Sequence, residues 1–423
     1  MMVRNSVFLV LAFLGCAAAQ TVRPKDIREM ARDGSSAIPR IAQHLKNPDL
    51  EVRLEAVKAI SAIGTARSLD PLVEATRDND PEVQIRATDG LVNFYLPGYL
   101  RTGLSATLRR VGTTIKSKFT DVNDQVIDPY VQVRPEVIDA LGKLARGGSS
   151  LEARANAARA AGILRGRAAV PDLVEAMRSK DAGVIYECLV AFQKIGDPSA
   201  GPRFRFLLRD LDERVQVAAI EGTGLLRNME AIPDLIEVLN RERSTPRVRR
   251  AALAALAMLP DEKNRPLFRR YLDDRDEGLR EAAAEGLGRL RNPADRPVLE
   301  KAYEQERRAS ARLSVAFALV CHGNTEVGEM SPLQLLINTL NSKARQGEAF
   351  AFLVEVARDA AVRATLHRAI PSGAKDERIY LARVLARSGD KTSVPELEKL
   401  SRDPDADVGQ EALRALQNLK ARL

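Results

Sequence analysis

The sequence predicts an all-α protein built from a repeated pair of helices, and three observations support this prediction. Prolines recur at a spacing of about 31 residues through most of the chain. The composition is 45% hydrophobic but only 4% aromatic, with no tryptophan, which favours helices packed through small side chains over a β fold. Each unit also repeats the same order of helix-start, turn and capping residues. A fixed period of this length indicates a repeat architecture rather than separate globular domains.

The proline register defines the repeat unit. Of its nine intervals, six measure 31 to 35 residues and one measures 36. The other two measure 64 and 63 residues, close to twice the unit, so we expect each to contain a repeat that lacks its proline. The register comprises Pro39, Pro71, Pro135, Pro171, Pro202, Pro233, Pro266, Pro297, Pro332 and Pro395.

Residues 1–19, the first element, have the pattern of a secretory signal: an early arginine, an apolar run and three consecutive alanines. We therefore expect a mature chain that begins at Gln20 and is exported to the periplasm or the extracellular space. The apolar run, about 14 residues long, is shorter than the roughly 20 residues that span a bilayer. A lipoprotein anchored at Cys16 is the less favoured alternative, because Phe13 stands where a lipidation signal normally has leucine.

The first complete unit shows how one repeat folds. Residues 37–45 open with a proline in the first turn, where a missing N–H is harmless, and predict a short amphipathic helix. Residues 47–49 form a turn, and residues 52–63 predict a second helix that ends at Gly64. Its apolar stripe must be covered by the first helix and by the next repeat, so a single unit could not bury it.

An aspartate precedes each predicted second helix and is well placed to cap it. Side-chain oxygens at this position accept hydrogen bonds from the free N–H groups of the first turn. The predicted caps are Asp49, Asp80, Asp181, Asp212, Asp276 and Asp405.

Residues 49–57 (DLEVRLEAV) and 212–220 (DERVQVAAI) resemble HEAT repeats of the short phycobilin-lyase type, and the resemblance covers nearly all of the mature chain. It implies a right-handed α–α superhelix, a HEAT-type solenoid of about eleven helix pairs. It is less specific for function, because such repeats serve as scaffolds, chaperones, lyases and a few enzymes.

The repeat pattern divides the chain into HEAT repeats at 20–96 and 135–423, separated by an atypical segment at 97–134. Within that segment, residues 104–119 predict a basic amphipathic helix, and aromatic residues are concentrated around it. The segment is a degenerate repeat, a docking helix for a protein, or a contact with an anionic membrane surface. The candidate binding residues here are Tyr99, Arg109, Arg110, Lys116 and Lys118.

A second set of candidate residues consists of arginines that recur in the first turn of the second helices. These side chains either pair with capping aspartates or carbonyl groups of neighbouring repeats, or line the concave groove and meet an acidic partner protein. We call this set the Arg ladder: Arg53, Arg154, Arg249, Arg280, Arg312 and Arg378.

The sequence shows no catalytic constellation. The three histidines lie in different repeats without zinc-ligand spacing. Iron-binding HEAT-repeat hydroxylases use repeated His-Glu pairs, whereas none of the histidines here is followed by glutamate. Cys188 and Cys321 are predicted to be core residues too far apart for a disulfide. We therefore expect no catalytic residue, no metal and no cofactor.

The predicted function is an exported scaffold or adaptor for protein–protein interaction, and not an enzyme. The excess of 65 basic over 57 acidic residues is too small to indicate nucleic-acid binding. Two alternatives stay open. One is a bilin-lyase-like enzyme or chaperone, which only the resemblance implies. The other is a peripheral membrane protein that contacts the bilayer through residues 104–119 without crossing it.

Overall fold

The computed structural model describes residues 22–99 and 125–423, and every regular element within those ranges is helical. Helices α1 to α11 span Pro24–Met30, Ile38–Ala42, Leu50–Ile63, Leu69–Ala75, Pro81–Tyr95, Pro135–Gly147, Leu151–Ile163, Val170–Ala176, Ala182–Ile195, Glu213–Leu225 and Ile232–Asn240. Helices α12 to α22 span Pro246–Ala257, Arg265–Tyr271, Glu277–Leu290, Arg296–Gln305, Ala309–Cys321, Pro332–Thr339, Gln346–Val356, Ala360–Ala369, Lys375–Ser388, Val394–Leu400 and Ala406–Arg422. A 3-10 helix at Pro198–Arg209 takes the place of one first helix.

The helices form the predicted two-layer solenoid. Eleven second helices, α3, α5, α7, α9, α10, α12, α14, α16, α18, α20 and α22, pack each against the next along the described chain. The first helices pack against this layer from its other side and contact one another less. The all-α fold and the number of helix pairs are therefore as the repeat period predicts.

The two long proline intervals differ from each other. Between Pro332 and Pro395 the chain forms two pairs, α17 with α18 and α19 followed by α20, so the expected hidden repeat is confirmed. Between Pro71 and Pro135, helix α5 packs directly against α7. The first long interval therefore adds no second helix to the described stack. Residues 100–124 of that interval lie outside the described residues, so the hidden repeat there stays a prediction.

Capping follows the predicted pattern throughout. All six predicted aspartates accept a hydrogen bond from a backbone N–H in the first turn of their helix. Gly64 ends α3 in the left-handed conformation, with φ of 59°. Arg165, Arg227 and Arg291 adopt the same backbone conformation at the ends of α7, α10 and α14, where glycine is the usual residue.

Small residues allow neighbouring second helices to approach closely. A Cβ atom added at Gly288 of α14 would lie 2.7 Å from the Cα of Ala318 in α16. Gly162 faces Ala191 and Gly224 faces Ala255 in the same way, with corresponding distances of 2.8 and 2.9 Å. The small side chains expected from the composition are thus the contact residues between successive second helices.

Two hydrophobic cores run along the solenoid, and α16 contributes to both. Val315 and Leu319 belong to the core of the preceding repeats, whereas Leu313 and Phe317 belong to the core of the following repeats. Phe317 stacks on Phe352 of α18, with ring centroids 4.6 Å apart.

The solenoid curves until its C-terminal helix meets an earlier part of the chain. Arg414 of α22 donates hydrogen bonds of 2.9 and 2.6 Å to the carboxylate of Asp128. The backbone N–H of Ile127 donates to the carbonyl of Ile163, which holds this segment at the end of α7. Residues 286 positions apart in sequence are thereby brought into contact.

Candidate binding surfaces of the inner face

The second helices form the inner layer of the curved stack. Arg289 of α14 lies over the ring of Phe317 in α16, 5.0 Å from its centroid, and reaches Glu355 in α18. One side chain thus contacts three successive second helices. Because side chains of α9, α18, α20 and α22 surround one cavity, the polar sides of the second helices face the concave side of the curve. We call this surface the inner face.

The arginines of the Arg ladder lie in the first turns of second helices, and the hydrogen bonds of Arg53 and Arg280 reach the turns between helices. Arg280 donates from Nη1 to the carbonyls of Asp274 and Arg275, and from Nε and Nη2 to the carboxylate of Glu306. Arg53 makes the equivalent bonds in the first repeats: it donates to two carbonyls of its own turn and to the carboxylate of Asp78. Each guanidinium therefore joins the turn of one repeat to the turn of the next.

The other four members of the ladder vary. Arg378 pairs with Asp403. Arg154 donates to the carbonyls of Ala145 and Ala176, and Arg312 lies over the ring of Tyr303. Arg249 forms no side-chain hydrogen bond or ion pair with any residue of the described ranges, and is half-buried. The ladder as a partner-binding surface stays a prediction, and Arg249 is its most available member.

Arg363 follows the same local pattern and was missed by the sequence analysis. It donates to the carbonyls of Ala357 and Arg358 and pairs with Asp390. The signal was present, because Asp359 caps α19 four residues before the arginine, as Asp49 precedes Arg53. The proline register does not pass through this repeat, so the spacing was overlooked.

Charged side chains also bridge neighbouring second helices on the inner face. Arg159 of α7 pairs with Glu187 of α9, and both are largely buried. Arg383 of α20 pairs with Glu411 of α22 through two hydrogen bonds of 2.9 and 3.0 Å. Burial raises the pKa of Asp89 in α5 to about 6, although Asn156 of α7 donates a hydrogen bond to it.

Carboxylates are concentrated on the inner face of α14 and α18. Burial, together with the charges of Glu277, Glu348 and Glu285, raises the pKa of Glu281 to about 7. Burial alone would lower the pKa of the Arg289 guanidinium. The charges of Glu285 and Glu355, and their hydrogen bonds with it, outweigh burial, so the pKa of Arg289 is raised. We call Glu281, Glu285, Glu348 and Glu355 the acidic cluster.

A cavity of about 830 Å³ lies where the C-terminal helices approach an earlier part of the chain. Its walls come from the segment around Asp128, the ends of α7 and α9, and helices α18, α20 and α22. Six cationic side chains line it, against the two carboxylates of Asp128 and Glu411. We call it the basic cavity; the cations are Arg165, Lys194, Arg383, Arg387, Arg414 and Arg422.

The cysteines and histidines occupy structural positions. Burial raises the pKa of both Cys188 and Cys321 to about 12, so neither thiol is poised as a thiolate nucleophile at neutral pH. His367 Nε2 lies 2.9 Å from the hydroxyl of Ser393, and His322 Nε2 lies 3.3 Å from a backbone carbonyl. In the described ranges, no three His, Cys, Asp or Glu side chains converge as metal ligands.

The candidates of the atypical segment divide into two groups. Tyr99 is buried in the core that contains α5 and α7. Arg109, Arg110, Lys116, Lys118 and the predicted helix 104–119 lie outside the described residues, as do residues 1–19. None of the described helices has the length and apolar character needed to cross a membrane.

Comparison with known proteins identifies the repeat. The sequence pattern of HEAT repeats matches residues 11–92, 202–268 and 241–320. A deoxyhypusine hydroxylase from Eremothecium gossypii (strain ATCC 10895) is 29% identical over 236 residues, which make up 56% of this chain and 62% of that protein. The chain therefore spans less than two thirds of that relative's length.

Similar solved structures include other helical repeat proteins. The complex of CpcE and CpcF of phycocyanin lyase from Nostoc sp. PCC7120 is 19% identical, with a TM-score of 0.38, over 63% of this chain and 92% of that chain. Importin beta is 12% identical, with a TM-score of 0.43, over 94% of this chain and 62% of that chain.

Proposed function

Because this chain is a HEAT-repeat protein, we propose that it is an exported scaffold that binds a partner protein along its inner face and catalyses no reaction. The observation that carries the proposal is the set of charged side chains that link second helices of different repeats on that face. Arg159–Glu187, Arg289–Glu355 and Arg383–Glu411 each join two different helices. Side chains held in this way lose little conformational entropy when a partner binds.

The distribution of charge supports a protein partner with a basic contact surface. The acidic cluster lies on the inner face of α14 and α18. Complementary charges on a partner would fix its direction along the solenoid and would raise the association rate. Export, which rests on residues 1–19, is part of the proposal.

The test is a pull-down of the mature chain from the envelope fraction of its own cells. The intact chain is compared with a variant that carries Glu281→Gln and Glu348→Gln on the inner face. A matched control carries Glu300→Gln and Glu304→Gln on the outer helix α15, where both side chains are exposed. We expect one protein to be retained by the intact chain and by the control, and lost with the inner-face variant.

Retention of the same protein by all three chains would exclude the inner face as the binding surface. A further variant, with residues 97–134 replaced by a short loop, then decides whether the atypical segment is the docking site. Turnover of a substrate that a point mutation on the inner face abolishes would overturn the non-enzymatic proposal altogether.

A further inference from the structure

The basic cavity contains more positive charge than its own carboxylates neutralise. Arg383 is paired with Glu411, and Arg414 is paired with Asp128. Arg165 and Arg387 have no carboxylate partner among the described residues, although both line the cavity. We propose that the basic cavity is a binding site for a small ligand that carries two or more phosphate or carboxylate groups. This inference goes beyond the scaffold role and does not depend on it.

The two unpaired guanidiniums are close enough to repel each other. Burial lowers the pKa of Arg387, and the charges of Arg165 and Arg383 lower it further. Burial also lowers the pKa of Arg165. An anionic group placed between these arginines would replace a repulsion with two attractions. Planar guanidinium groups suit this role, because they bind carboxylate and phosphate oxygens through two parallel hydrogen bonds.

Aromatic rings hold the guanidiniums of α20 in place. Arg387 lies over the ring of Phe350, 4.7 Å from its centroid, and Arg383 lies over the ring of Tyr380 at 4.8 Å. The two rings contact each other edge to face, and Gln346 donates a hydrogen bond to the hydroxyl of Tyr380. The cationic groups are therefore positioned before any ligand arrives, which lowers the entropic cost of binding.

The size of the cavity favours a small ligand over a protein segment. Its volume of about 830 Å³ lies within the range of about 300 to 1,000 Å³ that is usual for small-molecule sites. Its walls come from residues 126–194 and 350–422, so a ligand there contacts segments far apart in sequence. A protein segment rich in Asp and Glu would carry the same charges, and the test separates the two cases.

The backbone at Arg165 provides a substitution that removes charge without disturbing the fold. Arg165 has φ of 49°, a conformation in which glycine is less strained than arginine. Arg165→Gly therefore deletes one cavity cation and relieves backbone strain. Arg227→Gly is the matched control, because Arg227 has φ of 55° at the corresponding end of α10 and does not line the cavity.

The experiment is calorimetric titration of the mature chain with tripolyphosphate, and separately with citrate, at about 150 mM salt, where the screening length is about 8 Å. We expect saturable binding of at least one of these anions at one site. Arg165→Gly and Arg387→Gln should each weaken it about tenfold, as expected for one lost charge-assisted hydrogen bond. Arg227→Gly should bind like the unaltered chain, and a thermal melt of each variant checks that it is folded.

Two results would overturn the proposal. The first is binding of the anions that Arg165→Gly and Arg387→Gln leave unchanged. The second is binding of neither anion; if a hexaglutamate peptide then binds, and both substitutions weaken its binding, the cavity is assigned to an acidic protein segment. Comparing tripolyphosphate with citrate distinguishes a phosphate ligand from a carboxylate ligand.

Discussion

A single arginine links two consecutive turns of the solenoid by satisfying several acceptors at once. Arg280 bonds two carbonyls of its own turn and both carboxylate oxygens of Glu306. The spacing of four residues between capping aspartate and arginine is visible in the sequence, because both lie in one turn. The acceptor 26 residues further on was not predictable, because it depends on how neighbouring repeats stack.

Replacing Arg280 with Ala should destabilise the protein by about 2 kcal/mol, because Glu306 is largely buried and would lose its charged partner. Arg280→Lys should restore little of the lost stability, since lysine cannot form the same fork of hydrogen bonds. Chemical denaturation measures the change. Arg249→Ala is the control and should change the free energy of unfolding by about 0.5 kcal/mol or less. Equal effects at the two positions would contradict the structural role of the turn contacts.

Glu281 should make stability depend on pH near neutrality. Its pKa is raised from the ordinary value of 4.5 to about 7 in the folded chain, so between these pH values the folded state binds the proton more strongly than the unfolded state. The free energy of unfolding is therefore highest at low pH, where Glu281 is protonated, and it falls as the pH rises from 4.5 towards 7. Glutamine does not ionise, so Glu281→Gln should avoid this decrease. At pH 8 the variant should be more stable than the unaltered chain by up to about 1 kcal/mol, after solvent screening is taken into account.

The measurement for Glu281 is the difference in unfolding free energy between the variant and the unaltered chain at pH 5 and at pH 8. We expect the difference to grow with pH in favour of glutamine. Glu304→Gln, on the exposed surface of α15, serves as the control and should show no such trend. A difference that is constant with pH would contradict the raised pKa.

At the scale of the helices, close packing between second helices depends on glycine and alanine at the contact positions. The six aspartate caps and the end of α3 at Gly64 followed from local sequence, because each depends on a few neighbouring residues. The direct packing of α5 against α7 did not, since an interval of 64 residues fits either two repeats or one repeat and an insertion. The stacking of the flanking helices shows that no described second helix lies between them.

Gly288→Ala should destabilise the protein by about 1 to 3 kcal/mol, even though alanine is the better helix former. The added methyl group would lie 2.7 Å from the Cα of Ala318, so α14 and α16 would have to move apart. Gly347→Ala is the matched control, because no atom lies within 4 Å of its Cβ position. Thermal denaturation compares the two variants, and a stabilised Gly288→Ala variant would contradict the packing described.

At the scale of the whole molecule, curvature brings the candidate site together. The sequence predicted the solenoid but not the basic cavity, because its walls come from α7, α20 and α22. Their mutual placement depends on the accumulated rotation from one repeat to the next, which no local pattern encodes. The ladder and inner-face hydrogen bonds that cross from one repeat to another join residues 22 to 67 positions apart, whereas Asp128 and Arg414 are 286 apart.

Arg414→Ala should loosen the contact between α22 and the segment around Asp128 without unfolding any repeat. Since the pair is partly exposed, we expect a loss of about 0.5 kcal/mol or less in global stability. Amide hydrogen exchange at residues 125–131 should become faster, and the radius of gyration in solution should increase. Lys420→Ala is a control on the same helix, because Lys420 pairs with Glu398 of the adjacent α21. Unchanged exchange at 125–131 would show that the contact does not hold the curve closed.

Helix α16 has a consequence for how the chain melts. In an array of repeats, each unit is stabilised mainly by its neighbours, and disorder spreads from one to the next. Two cores that met through separate helices would melt in two steps. Here Leu319 and Phe317 lie on the same helix and belong to different cores. Unfolding of α16 in one core therefore exposes apolar side chains of the other core. This shared helix makes melting of the two halves cooperative.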